Sequence, residues 1–283
     1  MHFIKLSLLV VFMPLFWGAA PIFDRITSRE IIERMLDSIE RIETQQYTLK
    51  STERVDGRLL FAESRVKIHE SPKKIYFNNY LRGIEILWVQ GQNNGNAIVK
   101  TRTLPLMNLD LDPLGGIMRK NQHHTLFDLG FTYIGKTIAN VVLKAPKEFD
   151  KYFTYAGTLT WDNIECYQMI VNYPDYKYVE YISQENETVT DISKRFATSD
   201  FKIRDKNNLS NYFGTIKKGK KLLIPVPYAN KAIMYIDKNR FLPINLKVYD
   251  EGGLYEAYEF YNVIINRSFE ANEFSKTYKS YGF

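Results

Sequence analysis

The sequence of 283 residues contains a single cysteine, Cys166. An intramolecular disulfide is therefore excluded, and an exported protein without disulfides fits a bacterial envelope better than a eukaryotic secretory route. Cys166 lies in an alternating, strand-like segment without a local signature of a thiol nucleophile, so we predict a buried structural thiol. Because no cysteine directly follows the N-terminal leader, we do not expect a lipid anchor there.

The sequence also lacks the common catalytic motifs, since no Gly-x-Ser-x-Gly, phosphate-binding loop or His-Glu-x-x-His occurs. His124 and Asp128 could share a helix face, but adjacent His123 points elsewhere and no third ligand is visible. We therefore predict an exposed or helix-capping role for both histidines. Asp110 and Asp112 alternate and could form a cation site or an acid–base pair, although their context favours turns. We predict no enzyme, no metal and no cofactor.

Long hydrophobic runs are absent after the N-terminus. Residues 1–5 form a short basic segment, and residues 6–17 form a mostly apolar one. Gly18-Ala19-Ala20 then supplies the small residues that a signal peptidase requires. This pattern predicts a signal peptide over residues 1–20, because the apolar run falls short of the roughly 20 residues that span a bilayer. We expect an exported protein, periplasmic in a Gram-negative bacterium, with no stable membrane span.

Aromatic residues are abundant, with 20 Tyr and 18 Phe. Together with 45% hydrophobic and 25% charged residues, they indicate a globular, strand-rich protein. The net charge of +6 is modest and is most concentrated between residues 202 and 221. This basic segment is either a solvated face or a surface attracted to an anionic polymer or membrane. We do not expect nucleic acid as a partner.

Periodicity organises the chain. Thr27 and Glu30 form a capping-box pattern before a helical repeat that runs to Ile42. Residues 47–69 then predict a hairpin around Asp56-Gly57. Helices are expected over residues 114–119 and 125–145. Alternating strands resume at 153–173 and again at 232–266, which predicts an α+β protein with one antiparallel sheet that an inserted segment interrupts.

The inserted segment, residues 178–228, has the order strand, helix, helix, strand. It resembles the LysM domain, a module that binds N-acetylglucosamine-containing glycans such as peptidoglycan. The resemblance rests on Thr188-Val189, Ile192, Phe196, Asn207-Asn208-Leu209 and the run from Ile216 to Pro225. Where a Gly-Asp-Thr is usual in that family, this sequence has Asn186-Glu187-Thr188.

The remaining residues, 21–177 and 229–283, have a resemblance of their own. The segments Ile236 to Pro243, Val248 to Gly253, Phe260 to Asn266 and the final Phe274 resemble the LolA/LolB lipoprotein-carrier superfamily. The chain is also similar to a family of uncharacterised exported proteins of Bacteroidetes-type bacteria that carry a LysM-like insert. The carrier resemblance implies a curved antiparallel half-barrel packed on helices, with a cavity for acyl chains.

Two sets of candidate binding residues follow from these resemblances, and each has a structural alternative. The glycan-binding candidates, which could equally cap and shape the first helix of the insert, are Asn186, Glu187, Thr188, Asn208, Leu209 and Asn211. The lipid-cavity candidates, which could equally be ordinary sheet core, are Tyr76, Trp88, Tyr235, Tyr249 and Phe260. The expected function is non-enzymatic binding of a lipid or lipoprotein acyl chain near the cell wall; the alternative is a peptidoglycan-binding structural protein without a lipid ligand.

Overall fold

The computed structural model describes residues 26–102, 107–144 and 146–283. The predicted signal peptide, residues 1–20, lies outside these described residues. Within them, the chain is an α+β protein with a large antiparallel sheet and a few helices. The predicted fold class is confirmed at this level.

The first half of the chain supplies six strands of the main sheet. They are β1 (Thr44–Val55), β2 (Arg58–His69), β3 (Lys74–Asn79), β4 (Ile84–Val89), β5 (Ala97–Thr101) and β6 (Leu109–Leu111). The predicted hairpin at Asp56-Gly57 is confirmed, since β1 and β2 pair in register from Val55↔Arg58 to Thr44↔His69. Both turn residues have positive φ, as a two-residue hairpin turn requires.

The second half of the chain supplies the remaining strands of the main sheet and a separate pair of strands. Its strands are β7 (Phe153–Trp161), β8 (Ile164–Asn172), β9 (Lys177–Ile182), β10 (Lys221–Val226), β11 (Lys231–Asp237), β12 (Pro243–Asp250) and β13 (Gly253–Ile265). In the described residues, eleven strands form one sheet in the order β6-β5-β4-β3-β2-β1-β13-β12-β11-β8-β7, while β9 and β10 pair separately. The two halves of the chain therefore meet where β1 pairs with β13.

The helices are short except for two. They are α1 (Ser28–Glu40), α2 (Gly116–Arg119), α3 (Phe131–Lys144), α4 (Phe149–Tyr152), α5 (Val189–Phe196) and α6 (Asp200–Lys206). The predicted capping box of Thr27 and Glu30 begins α1. Helix α1 packs against α3 at Gly135, where an added Cβ would lie 2.9 Å from Ile39 Cγ2.

The continuous helix predicted over residues 125–145 is wrong. A 3₁₀ turn at Leu126–Asp128 is followed by a break, and α3 begins only at Phe131. The cause is Gly130, whose φ of +93° is incompatible with a right-handed helix. The backbone N–H of Phe131 donates instead to Gln45 Oε1 at 3.1 Å, which fixes α3 to strand β1.

The segment 178–228 contains the predicted order of strand, helix, helix and strand, as β9, α5, α6 and β10. A small apolar core fills it, formed by Val189, Ile192, Ile203, Ile216, Leu222 and Ile224. Its assignment as a LysM-like domain stays a prediction. Because β8 and β11 pair directly on either side of it, the segment leaves the main sheet uninterrupted.

The inserted segment is firmly attached to the end of the main sheet. Phe201 is buried together with Val55, Val248 and Tyr255. Ion pairs join Lys202 to Asp250 at 2.9 Å, and Arg119 to Asp200 at 2.7 Å, across the same junction. These side chains are largely buried, so the attachment combines apolar burial with paired charges.

Candidate functional site

One face of the main sheet borders a cavity of about 640 Å³. We name this face the cavity face and the other the outer face. Helix α3 and the segment 117–130 cover the cavity from the opposite side. Its volume lies within the range of about 300–1,000 Å³ that is usual for ligand pockets.

The lining follows from strand pairing. Successive side chains of a strand point to opposite faces of the sheet, and residues paired on neighbouring strands point to the same face. Examples of such pairs are Leu49↔Ser64, Leu49↔Phe260 and Met234↔Leu246. All of these side chains line the cavity. The walls are mostly apolar, with contributions from strands of both halves of the sheet and from Ile134 and Ile138 of α3.

A cluster of polar side chains lies in the cavity wall at the end of the sheet nearest the inserted segment. The carboxylate of Glu256, 2% exposed, lies 2.9 Å from His123 Nδ1 and 3.3 Å from His124 Nε2. Tyr228 donates its hydroxyl proton to Glu256 Oε1 at 2.7 Å. Tyr258 donates to Glu53 Oε1 at 2.7 Å.

The electrostatics of this cluster favour a charged His124. Burial opposes the protonated ring, but the carboxylate of Glu256, the hydrogen bond to it, and the charges of Asp128 and Glu53 together raise the pKa of His124 to about 9. Burial likewise opposes ionisation of Glu256. The charge of His124 and the hydrogen bonds from both histidines nevertheless hold the pKa of that carboxyl well below its usual range.

The predicted exposed or helix-capping role of the two histidines is wrong. His123 is 5% exposed, and its ring stacks on Phe201 of the inserted segment at 4.5 Å and on Tyr255 at 4.2 Å. Its Nε2 also lies 3.0 Å from the carbonyl oxygen of Arg54. Sequence spacing could not reveal this, because the partners stand far away in the chain.

The other chemistry-bearing residues have structural surroundings. Asp112 accepts from the backbone N–H of Leu114 at 2.9 Å, as a turn residue does, whereas Asp110 lies in β6 and accepts from Asn93 Nδ2 at 2.8 Å. Cys166 is fully buried, as predicted, and burial raises the pKa of its thiol to about 11. Within residues 26–102, 107–144 and 146–283, no three His, Cys, Asp or Glu side chains converge as a metal site.

Of the five lipid-cavity candidates, the structure places Phe260 in the cavity lining and the other four outside it. Tyr76 is on the outer face, stacked on Tyr281 at 3.6 Å. Trp88 packs against Phe127 and donates its indole N–H to the carbonyl oxygen of Gly95.

The remaining two candidates also point elsewhere. Tyr235 follows the cavity-lining Met234 in β11 and therefore points to the opposite face. Lys247 Nζ lies 5.8 Å from the centroid of the Tyr235 ring. Tyr249 follows an irregularity in the β12–β13 pairing and lies 6.0 Å from Lys231 Nζ.

The six glycan-binding candidates lie in two neighbouring loops. Thr188 pairs with Thr215 in an isolated β-bridge, and the backbone N–H of Ile216 donates to the carbonyl oxygen of Glu187 at 2.7 Å. Asn208, Leu209 and Asn211 line a shallow surface depression with Ser210 and Tyr212.

The first loop also has a structural role. Thr188 caps α5 through Asp191, as the alternative interpretation expected. Asn186 is exposed, with a φ of +61°. Glu187 is buried, accepts hydrogen bonds from the Tyr181 hydroxyl and from the Gln184 backbone, and forms an ion pair with Arg195. Through these contacts, Glu187 stabilises the loop.

Glu256, Glu53 and Tyr258 were not among the functional residues predicted from the sequence. A signal was present, since Glu256 and Tyr258 share the phase of Phe260 along β13. A glutamate in the buried phase of a strand needs a partner, and here the partners are the two histidines.

The fold and cavity define an α+β protein whose antiparallel sheet and helices enclose an apolar pocket with one polar wall. Within that class, the chain belongs to the family described as "Protein of unknown function (DUF1571)", whose family model matches residues 42–198. No curated protein matches the sequence. In the described residues, no helix is both long and apolar enough to cross a membrane.

Solved structures of low sequence identity are similar to this chain. The lipoprotein LppX of Mycobacterium tuberculosis is 12% identical with a TM-score of 0.40, over 84% of this chain and 97% of that chain. LprF of Mycobacterium bovis is 8% identical with a TM-score of 0.41, over 85% and 96%. A chain in the MucA/MucB complex of Pseudomonas aeruginosa is 10% identical with a TM-score of 0.41, over 87% of this chain and 60% of that chain.

Proposed function

We propose that this protein is an exported, non-enzymatic binding protein of the Gram-negative periplasm, without a lipid anchor. Its cavity carries or senses a lipid or lipoprotein acyl chain while the protein is associated with the cell wall. In this proposal, residues 21–177 and 229–283 form a LolA/LolB-like half-barrel, and residues 178–228 form a LysM-like insert. The cavity of about 640 Å³ between the sheet and α3 carries the proposal.

The chemistry of the cavity wall supports an acyl chain as the ligand. Apolar side chains from both halves of the sheet and from α3 line most of it. Each methylene that leaves water for such surroundings contributes about 0.8 kcal/mol. Ten methylenes therefore contribute up to about 8 kcal/mol, before the cost of ordering the chain is subtracted.

Mass spectrometry of lipids that co-purify with the protein tests this function directly. Ala62 lines the cavity and pairs with Ser51 in the β1–β2 hairpin. An Ala62→Phe substitution adds a ring to the cavity, so we expect it to reduce the amount of co-purifying lipid. Ala156→Phe, at an exposed position of β7, is the matched control and retains lipid. If wild-type protein neither co-purifies with lipid nor takes up a fluorescent fatty acid or lipopeptide after delipidation, the function is refuted.

A second candidate function is peptidoglycan binding by the segment 178–228. The observation in its favour is the adjacency of the two candidate loops through the bridge between Thr188 and Thr215. In the segment that leads to Thr215, Asn208 and Asn211 expose amide side chains, which suit the hydroxyl and acetamido groups of a glycan.

A sacculus pull-down with the full-length chain tests this second function. The double variant Asn208→Ala/Asn211→Ala leaves the core of the insert intact, and we expect it to lose sacculus binding. Asn94→Ala/Asn96→Ala, in the loop between β4 and β5, is the matched control and should bind like wild type. Absence of binding by wild-type protein removes this function and leaves the lipid-binding function standing.

A further inference from the structure

Among the described residues, the polar cluster in the cavity wall contains a hydrogen-bond donor for which no protein acceptor is found. His124 lines the cavity, and its side chain is 17% exposed. Its Nε2 faces Glu256 Oε2 at 3.3 Å and the Tyr228 hydroxyl at 3.5 Å. Its Nδ1 has no hydrogen-bond partner among the described residues.

This donor needs an acceptor. Since Glu256 keeps the ring protonated, Nδ1 carries a proton. An N–H of a charged ring at the wall of a mostly apolar cavity is unfavourable unless an acceptor replaces water. A ligand that fills the cavity displaces water, and it therefore gains by presenting an oxygen to Nδ1.

The charges around His124 select the kind of acceptor. The carboxylates of Glu53, Asp128 and Glu256 all act electrostatically on this single ring. Asp128 accepts from the backbone N–H and hydroxyl of Thr125. The cluster thus has no excess positive charge, which disfavours a second anion such as a fatty-acid carboxylate and favours an uncharged carbonyl oxygen.

Basic side chains occur elsewhere in the lining. Arg82 and Lys120 are exposed, so solvent weakens their fields. Lys231 is half-buried, and its Nζ lies 6.0 Å from the centroid of the Tyr249 ring. None of the three is among the charges that shift the pKa of His124.

We propose that His124 donates through Nδ1 to the carbonyl oxygen of an ester-linked or amide-linked acyl chain, so that the cavity prefers acylated compounds to free fatty acids. This inference rests on the proposed lipid-binding function. It adds the chemical group at which the ligand is held and the side chain that holds it.

Three ligands with a twelve-carbon chain test the inference, namely methyl laurate, laurate and dodecane. Their affinities are measured at pH 7.5 by displacement of a neutral fluorescent dye from delipidated, full-length protein. In wild type, we expect methyl laurate to bind more tightly than laurate. In the His124→Leu variant, methyl laurate should lose about tenfold in affinity, which corresponds to about 1.4 kcal/mol, while dodecane changes less than threefold.

Controls separate a binding role from a structural role. His69→Leu is the matched control, because His69 lies outside the cavity with its Nδ1 2.9 Å from the carbonyl oxygen of Pro72. His124→Gln retains a neutral donor and should recover part of the affinity for methyl laurate. In wild-type protein, the imidazole ¹⁵N resonance of His124 should shift with methyl laurate and stay in place with dodecane, a readout that needs no variant.

Three results would overturn this inference without refuting the proposed lipid-binding function. The first is laurate binding to wild type at least as tightly as methyl laurate, and the second is a larger loss of affinity for laurate than for the ester in His124→Leu; in both cases the site would recognise an anion. The third is an unchanged affinity of His124→Leu for the ester. If none of the three ligands displaces the dye or binds wild-type protein, the proposed function fails together with the inference.

Discussion

The ion pair between His124 and Glu256 should make the stability of the protein depend on pH in the alkaline range. The perturbation is His124→Gln, which preserves size and polarity and removes the titration. The pKa of His124 is raised from 6.5 to about 9, so the folded state binds the proton more tightly than the unfolded state. The corresponding stabilisation is present below pH 6.5 and is lost as the pH rises towards 9.

The size of this effect follows from the pKa. A rise from 6.5 to about 9 corresponds to about 3 kcal/mol, at about 1.36 kcal/mol per pH unit. This is an upper value, because the side chain is 17% exposed and shares Glu256 with His123. We therefore expect wild type to lose about 2–3 kcal/mol more than His124→Gln between pH 6.5 and 9.

Urea unfolding at several pH values from 6 to 9.5 measures the difference, with His69→Gln as a control that should follow wild type. Comparison with the variant removes the contributions of tyrosines and other shared groups. Parallel stability curves for wild type and His124→Gln across this range would refute the assignment of a charged His124 paired with Glu256.

Three further predictions concern packing against the two faces and the end of the main sheet. Phe201→Ala should lower the free energy of unfolding by about 3–5 kcal/mol and speed hydrogen exchange in residues 178–228; a change confined to the rest of the chain would contradict the attachment described above. Gly130→Ala should cost about 1–2 kcal/mol in urea unfolding, because φ is +93° and the added Cβ would lie 2.6 Å from Gln45 Oε1; an unchanged midpoint would be inconsistent with this turn. Tyr281→Ala should cost about 2–3 kcal/mol by losing its stack on Tyr76, whereas Tyr212→Ala, at an exposed position, should change the melting temperature little.

Local chemistry made parts of the fold predictable. The capping box at Thr27 and the hairpin at Asp56-Gly57 depend on residues within a few positions of each other, and both are confirmed. The break at Gly130 was missed because the apolar pattern continues across it, and the decisive contact is with Gln45, 86 residues away from Phe131.

The candidate site was less predictable than the fold. Tyr76 and Tyr235 are of a residue type that suits a cavity lining. Both faces of their strands carry apolar side chains, however, so the sequence alone does not tell which face borders the cavity. The outer face near Tyr76 is covered by Phe274, Tyr281 and Phe283 of the C-terminal segment. Glu256 and His123 stand 133 residues apart, a separation at which no spacing rule applies.

The junction of β1 and β13 has a consequence for how the chain acquires its structure. Residues such as Gln45 and Ile265 pair across the middle of the sheet, so a nascent chain that ends before β13 leaves β1 as a long unpaired edge. Such an edge favours association between chains, and pairing over this sequence distance is slow. We expect pulse-labelled hydrogen exchange during refolding to show β1–β13 amides protected after those of the β1–β2 hairpin; simultaneous protection would argue against this order. The cavity would then form late in folding, because its sheet is complete only once β1 has paired with β13.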